Sequence, residues 1–400
     1  MTNLDALLRD LDTVVVYRHV SEGPVLSALR RLPERAPDGT SFATKNYTDF
    51  VTELFRTHYD FSDYLLDAVA EDENRYVDLR AKGEPVPDPL EDCVRAELEL
   101  FQKLSDVTAK ELTAWVHRAD VLRTAGYLPT FSTTPRDFAA AYEARIAKIS
   151  QTGYGIYARH NMFRLEGTQI VPIASPDTRV LSDLYGYERE KEQLLTNTRA
   201  LLEGKPAANT LLYGAAGTGK SSSVKAVTNE LASEGLRLLE MKKSQLHDIP
   251  KVMEQLRTNP LKFIIFVDDL SFTKDDDDFA TLKAILEGSA SVKAPNTVIY
   301  ATSNRRHLVR ESFADREGDD IHRNDTIQET TSLSSRFGLT ILFNKPAKPE
   351  YLAIVHELAR AKGIEMDETE LDKLASAFAI RKGGATPRAA EQFTNSLLLK

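Results

Sequence analysis

The chain has 400 residues, 42% hydrophobic, 28% charged and 8% aromatic, proportions that fit a packed globular protein of two or three domains and exclude a disordered or fibrous one. With 60 acidic and 51 basic residues the formal net charge is -9, so no global positive field exists to gather nucleic acid or anionic lipid, although a local basic groove remains open. The lone Cys93 excludes intramolecular disulfides and paired-cysteine zinc sites. The acidic start MTNLDALLRDLDTVVVYRHV is unlike a signal peptide, and no stretch nears the ~20 apolar residues of a membrane span, so a cytoplasmic protein is expected.

From residue 1 to about 152 the apolar spacing is helical, as in the runs Tyr47 to Leu66 and Leu90 to Trp115, and predicts a mainly helical N-terminal domain. Pro85, Pro87 and Pro89 mark a loop between helices. Between 153 and 178 short aromatic and β-branched runs, YGIYARHNMFRLEG and TQIVPI, predict a small hairpin turning at Gly167. The segment SPDTRVLSD then reads as a linker, with a domain boundary near residue 178.

From 179 to 346 continuous apolar runs alternate with helical ones: NTLLYG, a helix from Ser221, LRLLEM, a helix from Leu246, KFIIFVDDL, a helix from Phe279, and TVIYATSN. Runs of this kind are strands buried on both faces, so an α/β domain with a parallel sheet is predicted. From 347 to 400 the pattern is helical again, with segments starting at Pro349, Asp367 and Pro387, and predicts a small helical lid.

The string Gly214, Ala215, Ala216, Gly217, Thr218, Gly219, Lys220, Ser221 satisfies G-x-x-x-x-G-K-[ST], with a strand before it and a helix after it. Glycines let backbone N–H groups close around phosphates, and the helix dipole favours the anion. Lys220 is expected to reach the β- and γ-phosphates of ATP and Ser221 to give a hydroxyl to Mg²⁺, with Ser222 beside it. A glycine-rich turn that binds nothing is the alternative, disfavoured by the flanking strand and helix. Further on, FIIFVDDL ends a buried strand in two acids, at the carboxyl end where ligands of such sheets bind. Asp268 is assigned to Mg²⁺ through water and Asp269 to polarising the attacking water; the bland alternative is that both cap the next loop. The run Asp275 to Asp278 reads as a solvated loop, and His160 and His322 as structural or surface residues.

These pieces resemble the AAA+ superfamily of P-loop ATPases. The resemblance implies that Asn304, ending TVIYATSN, is the polar sensor-1 residue that helps Asp269 hold water. It also implies that Arg336 in SLSSRFGLTILF is an arginine finger serving a neighbouring subunit, and that Arg388 in GGATPRAAEQF is the sensor-2 arginine. LYGYEREKEQLL resembles the box lining the adenine site, which points to Tyr185, Gly186 and Tyr187. For either arginine the alternative is a surface charge or weak ion pair. Arg305 and Arg306 read more simply as solvated surface than as facing a ligand. Over its length the chain is also similar to a narrower group of bacterial ATP-binding proteins carrying a domain-of-unknown-function label. The strings GYEREKEQLL, LLYGAAGTGKSSSVKA, VDDLSF, LKAILEG, IYATSNRRHLV and SSRFGL carry that similarity, and the helical half and hairpin are expected to belong to the group too.

Many AAA+ members have Asp-Glu where this chain has Asp268-Asp269. A carboxylate shorter by one methylene approaches water differently, and small misplacements cost as much as ~10²-fold in rate, so slow, switch-like hydrolysis is consistent with the pair. The leading expectation is an ATP- and Mg²⁺-dependent homo-oligomeric ATPase that remodels or loads a protein or nucleic-acid client held by the N-terminal domain. A binding module that uses ATP to fix one conformation, with little or no turnover, is the alternative. A small-molecule kinase ranks last, having no use for a sensor-2 arginine.

Overall fold

The helical periodicity of the first half is realised, with breaks set by local hydrogen bonds. The computed structural model describes residues 4–35, 41–119, 126–272, 277–287, 294–304 and 335–399, in two compact units, residues 1–159 and 160–400.

In the first unit the run from Tyr47 to Leu66 is divided between helices Ala43–Phe55 and Phe61–Ala70. Asp60 makes the break: its side chain accepts from the Ser62 and Asp63 N–H groups and starts the second helix. The run Leu90 to Trp115 divides likewise into Asp88–Ser105 and Ala109–Ala119. Here Thr108 and Glu111 bond reciprocally, Glu111 N–H to the Thr108 hydroxyl at 3.2 Å and Thr108 N–H to the Glu111 carboxylate at 3.0 Å, a capping box. Pro89, expected in a loop, sits in the first turn of its helix, where the missing N–H costs nothing. The core mixes leucines with aromatics, of which Tyr17, Phe50, Phe61, Phe101, Phe138 and Tyr142 are fully buried and form edge-to-face pairs such as Phe50–Phe61 at 5.4 Å.

The second unit is built on a seven-stranded sheet, from β1 (Met162–Glu166) and β2 (Gln169–Pro172) to β3 (Thr210–Gly214), β4 (Leu236–Met241), β5 (Lys262–Val267), β6 (Thr297–Ser303) and β7 (Leu339–Phe343). In space the order is β2-β1-β4-β5-β6-β3-β7; every pairing is parallel except β1 with β2. Phe263 to Val267 are all buried, as a strand covered on both faces requires. A buried polar network ties the helix Glu188–Leu202 to this sheet: the Tyr300 hydroxyl lies 2.8 Å from the Thr198 hydroxyl and accepts from Asn197 Nδ2 at 3.0 Å.

The hairpin corrects the expected domain division. Expected as a separate piece ending near residue 178, it instead joins the sheet: Met162 to Arg164 pair in parallel with Leu238 to Glu240, and Met162 belongs to the core of the α/β unit. The division therefore falls after residue 159, because an edge of β4 would otherwise stand unpaired. The following segment is also fixed, since Asn229 Nδ2 donates to the carbonyls of Asp177 and Arg179 at 2.7 and 2.8 Å. Helices Lys348–Ala361, Glu368–Arg381 and Pro387–Leu397 form the lid around a small core including Tyr351, Val355, Ala375 and Phe393.

Candidate functional site

Three strands bring the candidate residues together. The glycine-rich loop leaves the carboxyl end of β3, the acid pair follows β5, and Asn304 follows β6, so all converge on one crevice. The loop's first glycine is obligatory: Gly214 has φ 137°, and a Cβ there would lie 2.1 Å from the Phe343 carbonyl oxygen of β7. Gly219 then turns the chain at φ 93°, and the helix Lys220–Glu230 begins at once.

Lys220 is only 7% exposed, and its amine donates to the Gly214 and Ala215 carbonyls at 2.9 and 2.8 Å and to Asn304 Oδ1 at 3.1 Å. Burial pulls its pKa below the usual lysine range, against the opposing pull of Asp268 and Asp269, and Arg388 lowers it further. Thr218 is buried and its hydroxyl donates to the Ala215 carbonyl at 2.8 Å, bracing the loop. Ser221 Oγ donates to Asp268 Oδ1 at 2.6 Å, and the Thr302 hydroxyl donates to the same oxygen.

Asp269 stands in the left-handed region at φ 52°, a conformation in which aspartate is tolerated better than most residues. Its N–H donates to the Thr302 hydroxyl at 2.9 Å, and its Oδ1 accepts from Asn304 Nδ2 at 2.9 Å. Thr302 therefore holds the Asp268 carboxylate and the Asp269 backbone, a position that sequence reasoning missed; a hydroxyl two residues before Asn304 at the end of a buried strand was the available signal.

Two cavities border the loop. One, of about 200 Å³, is lined by Tyr185, Gly186, Tyr187, Gly217, Thr218, Gly219, Ser222 and Arg388 among others. Tyr187 has φ 61° and is anchored by its hydroxyl, which donates to the Asn344 carbonyl at 2.6 Å, while its ring lies 5.1 Å from that of Phe343. Arg179, Ile354 and Leu358 also line this cavity; nothing in their local sequence signals it, because lid and linker meet the loop only through the fold. The second cavity, of about 540 Å³, opens on Ala215, Ala216, Gly217 and Arg388. Arg388 holds the loop directly, its N–H donating to the Gly217 carbonyl at 3.2 Å.

Arg336 lies apart. It lines neither cavity, and its guanidinium pairs with Glu287 at 3.0 Å. Arg305, Arg306, His322 and residues 275 and 276 fall outside the described residues.

This arrangement, with a glycine-rich loop on the strand next to the β7 edge, a polar residue and an acid pair after the two strands beyond it, and a group of C-terminal helices, is an α/β fold on a mostly parallel sheet. Residues 158–400 match the family described as protein of unknown function (DUF815). The chain belongs to that family. The match includes the hairpin, as expected, and begins at the end of the helical unit, which stands outside it. No curated protein matches the chain. Among solved structures it is similar to the Thermotoga maritima RuvB Holliday junction branch migration motor, at 16% identity and a TM-score of 0.37 over 54% of this chain and 63% of that one. Two single-substitution mutants of that protein match at 16% and 17% identity, each with a TM-score of 0.37, the first over 55% of this chain and 64% of that one and the second over 54% and 63%. The chain thus spans less than two thirds of the length of these structures. Among the described residues no helix is long and apolar enough to cross a membrane.

Proposed function

We propose that the chain binds ATP with Mg²⁺ and hydrolyses it, as a nucleotide-dependent homo-oligomer acting on a client through the helical unit. The observation that carries the reading is the convergence of Lys220, Ser221, Asp268, Asp269 and Asn304 at the ends of three adjacent strands. The donor set fits the metal: a hydroxyl and a carboxylate oxygen 2.6 Å apart are the hard oxygens that Mg²⁺ takes alongside water and phosphate. When bound, Mg²⁺ neutralises charge on the β- and γ-phosphates. Ser221 would hold it directly and Asp268 through water.

Each side chain then has a defined task. Lys220 exchanges its carbonyl partners for phosphate oxygens, and the loop N–H groups close around them. The base occupies the cavity of Tyr185, Gly186 and Tyr187. Asp269 accepts a proton from, or aligns, the attacking water, with Asn304 fixing its carboxylate. Arg388 reports phosphate occupancy to the lid, and Arg336, lying outside both cavities, leaves Glu287 to act on the nucleotide of a neighbouring subunit.

A second reading, a binding module with slow turnover, is favoured by one observation: the shorter Asp269 has Oδ1 already committed to Asn304. Steady-state ATP hydrolysis measured across protein concentrations, with molecular mass determined with and without ATP, separates the two. Turnover that rises with assembly supports the shared-site ATPase. ATP held with neither turnover nor assembly supports the binding module.

A further inference from the structure

Beside the phosphate-binding loop, the cavity of about 540 Å³ is lined by three cations, Lys345, Lys382 and Arg388, and by no acidic residue. The Lys345 amine makes one long bond, to the Gly383 carbonyl at 3.3 Å. Lys382 has its amine 5.7 Å from the centre of the Phe378 ring. No carboxylate of the described residues pairs with either amine. The chain also makes room for Lys345: Gly384 has φ 142°, and a Cβ there would fall 1.7 Å from that amine. Three positive charges facing one cavity repel one another, and an anion is the occupant that relieves this. The helix Pro387–Leu397, whose Thr386 cap accepts from the Ala389 N–H, begins on the same wall and adds a favourable dipole for an anion.

The position identifies the anion. The two cavities share only Gly217 and Arg388, so a nucleotide with its base against Tyr185 and Tyr187 runs across the loop toward the larger one. The Lys220 amine, which belongs at the β- and γ-phosphates, is held at the Gly214 and Ala215 carbonyls, and Ala215 lines the larger cavity. We infer that Lys345 and Lys382 receive the terminal phosphoryl group of a nucleoside triphosphate and set the preference for tri- over diphosphate. The inference rests on the nucleotide-binding reading and adds two lysines, one after β7 and one in the lid, to the phosphate site. Bridging both to one phosphate would add, in the triphosphate state, a lid-to-core link to the existing bonds of Lys345 with Gly383 and of Arg388 with Gly217.

The test is calorimetric titration of the full chain with Mg²⁺ and either ADP or adenylyl imidodiphosphate, in wild type, in Lys345→Met/Lys382→Met and in Lys345→Arg/Lys382→Arg. Both lysines are exposed, so the unfolding temperature should not move. The methionine pair should weaken binding of the imidodiphosphate about tenfold or more and of ADP less than about threefold, and the arginine pair should recover most of the loss. Equal losses for the two nucleotides, or none for either, overturn the assignment while leaving the nucleotide reading in place. Wild-type protein that binds neither nucleotide removes both.

Discussion

In the helical unit the buried carboxylate of Glu97 accepts from the backbone N–H groups of Val15, Val16 and Tyr17 at 2.8 to 3.1 Å, so its oxygens are fully used in closing a turn. In the α/β unit the equally buried amine of Lys220 has two carbonyls and an amide oxygen for partners, no carboxylate within bonding reach, and a depressed pKa. One buried charge is met by backbone N–H donors; the other lies among carbonyls with two acids near it but none bonded to it. The contrast separates a burial that closes a turn from one that the proposed function gives a ligand.

The comparison is broken most violently by removing groups that act only in turnover. Arg336→Ala should lower ATP hydrolysis ~10³- to 10⁵-fold at every protein concentration, with ATP affinity nearly unchanged, and mixing with Lys220→Ala subunits should restore part of the rate. Unaltered hydrolysis would mean that its pairing with Glu287 is all that Arg336 does. Asp269→Asn should slow single-turnover hydrolysis ~10²- to 10⁴-fold while ATP and Mg²⁺ remain bound; an unchanged rate would transfer the water-polarising role to another group.

On the other side of the comparison, Glu97→Ala strands buried donors and should cost about 2–3 kcal/mol of stability, read by chemical denaturation of the helical unit. ATP affinity should be untouched, and a loss of affinity would contradict the purely structural role of Glu97. The smallest effect is in pH. Burial lowers the Lys220 pKa, so the amine is charged below that value and loses its charge as pH rises through it, earlier than an ordinary lysine would. Nucleotide affinity should therefore decline with rising alkaline pH, and binding in that range should take up protons, detectable in buffers of different ionisation enthalpy. Lys220→Arg should flatten the profile.

Much of the site was legible because its chemistry is local. A strand, a glycine-rich loop and a helix N-terminus occur within a dozen residues, and the acids and Asn304 announce themselves at the ends of apolar runs. What was not legible depended on pairing at a distance. The hairpin's period-two pattern predicted the hairpin itself but could not say that β1 would add to the edge of β4. Thr302 acts through hydrogen bonds to residues on another strand, and Arg179, Ile354 and Leu358 reach the cavity only because linker and lid fold back over the loop. The helical runs were read correctly as helical, while their interruptions at Asp60 and Thr108 turned on single side-chain caps that apolar periodicity does not register.

The central claim, that the crevice at the ends of β3, β5 and β6 is a nucleotide site organised on Lys220, is tested most directly by titrating ATP and Mg²⁺ into wild type and Lys220→Ala. The account predicts a saturable wild-type isotherm and a loss of affinity of about 10²-fold or more in a variant that remains folded, since a charge-assisted contact disappears from a site built around it. ATP binding of equal strength in both proteins would contradict it.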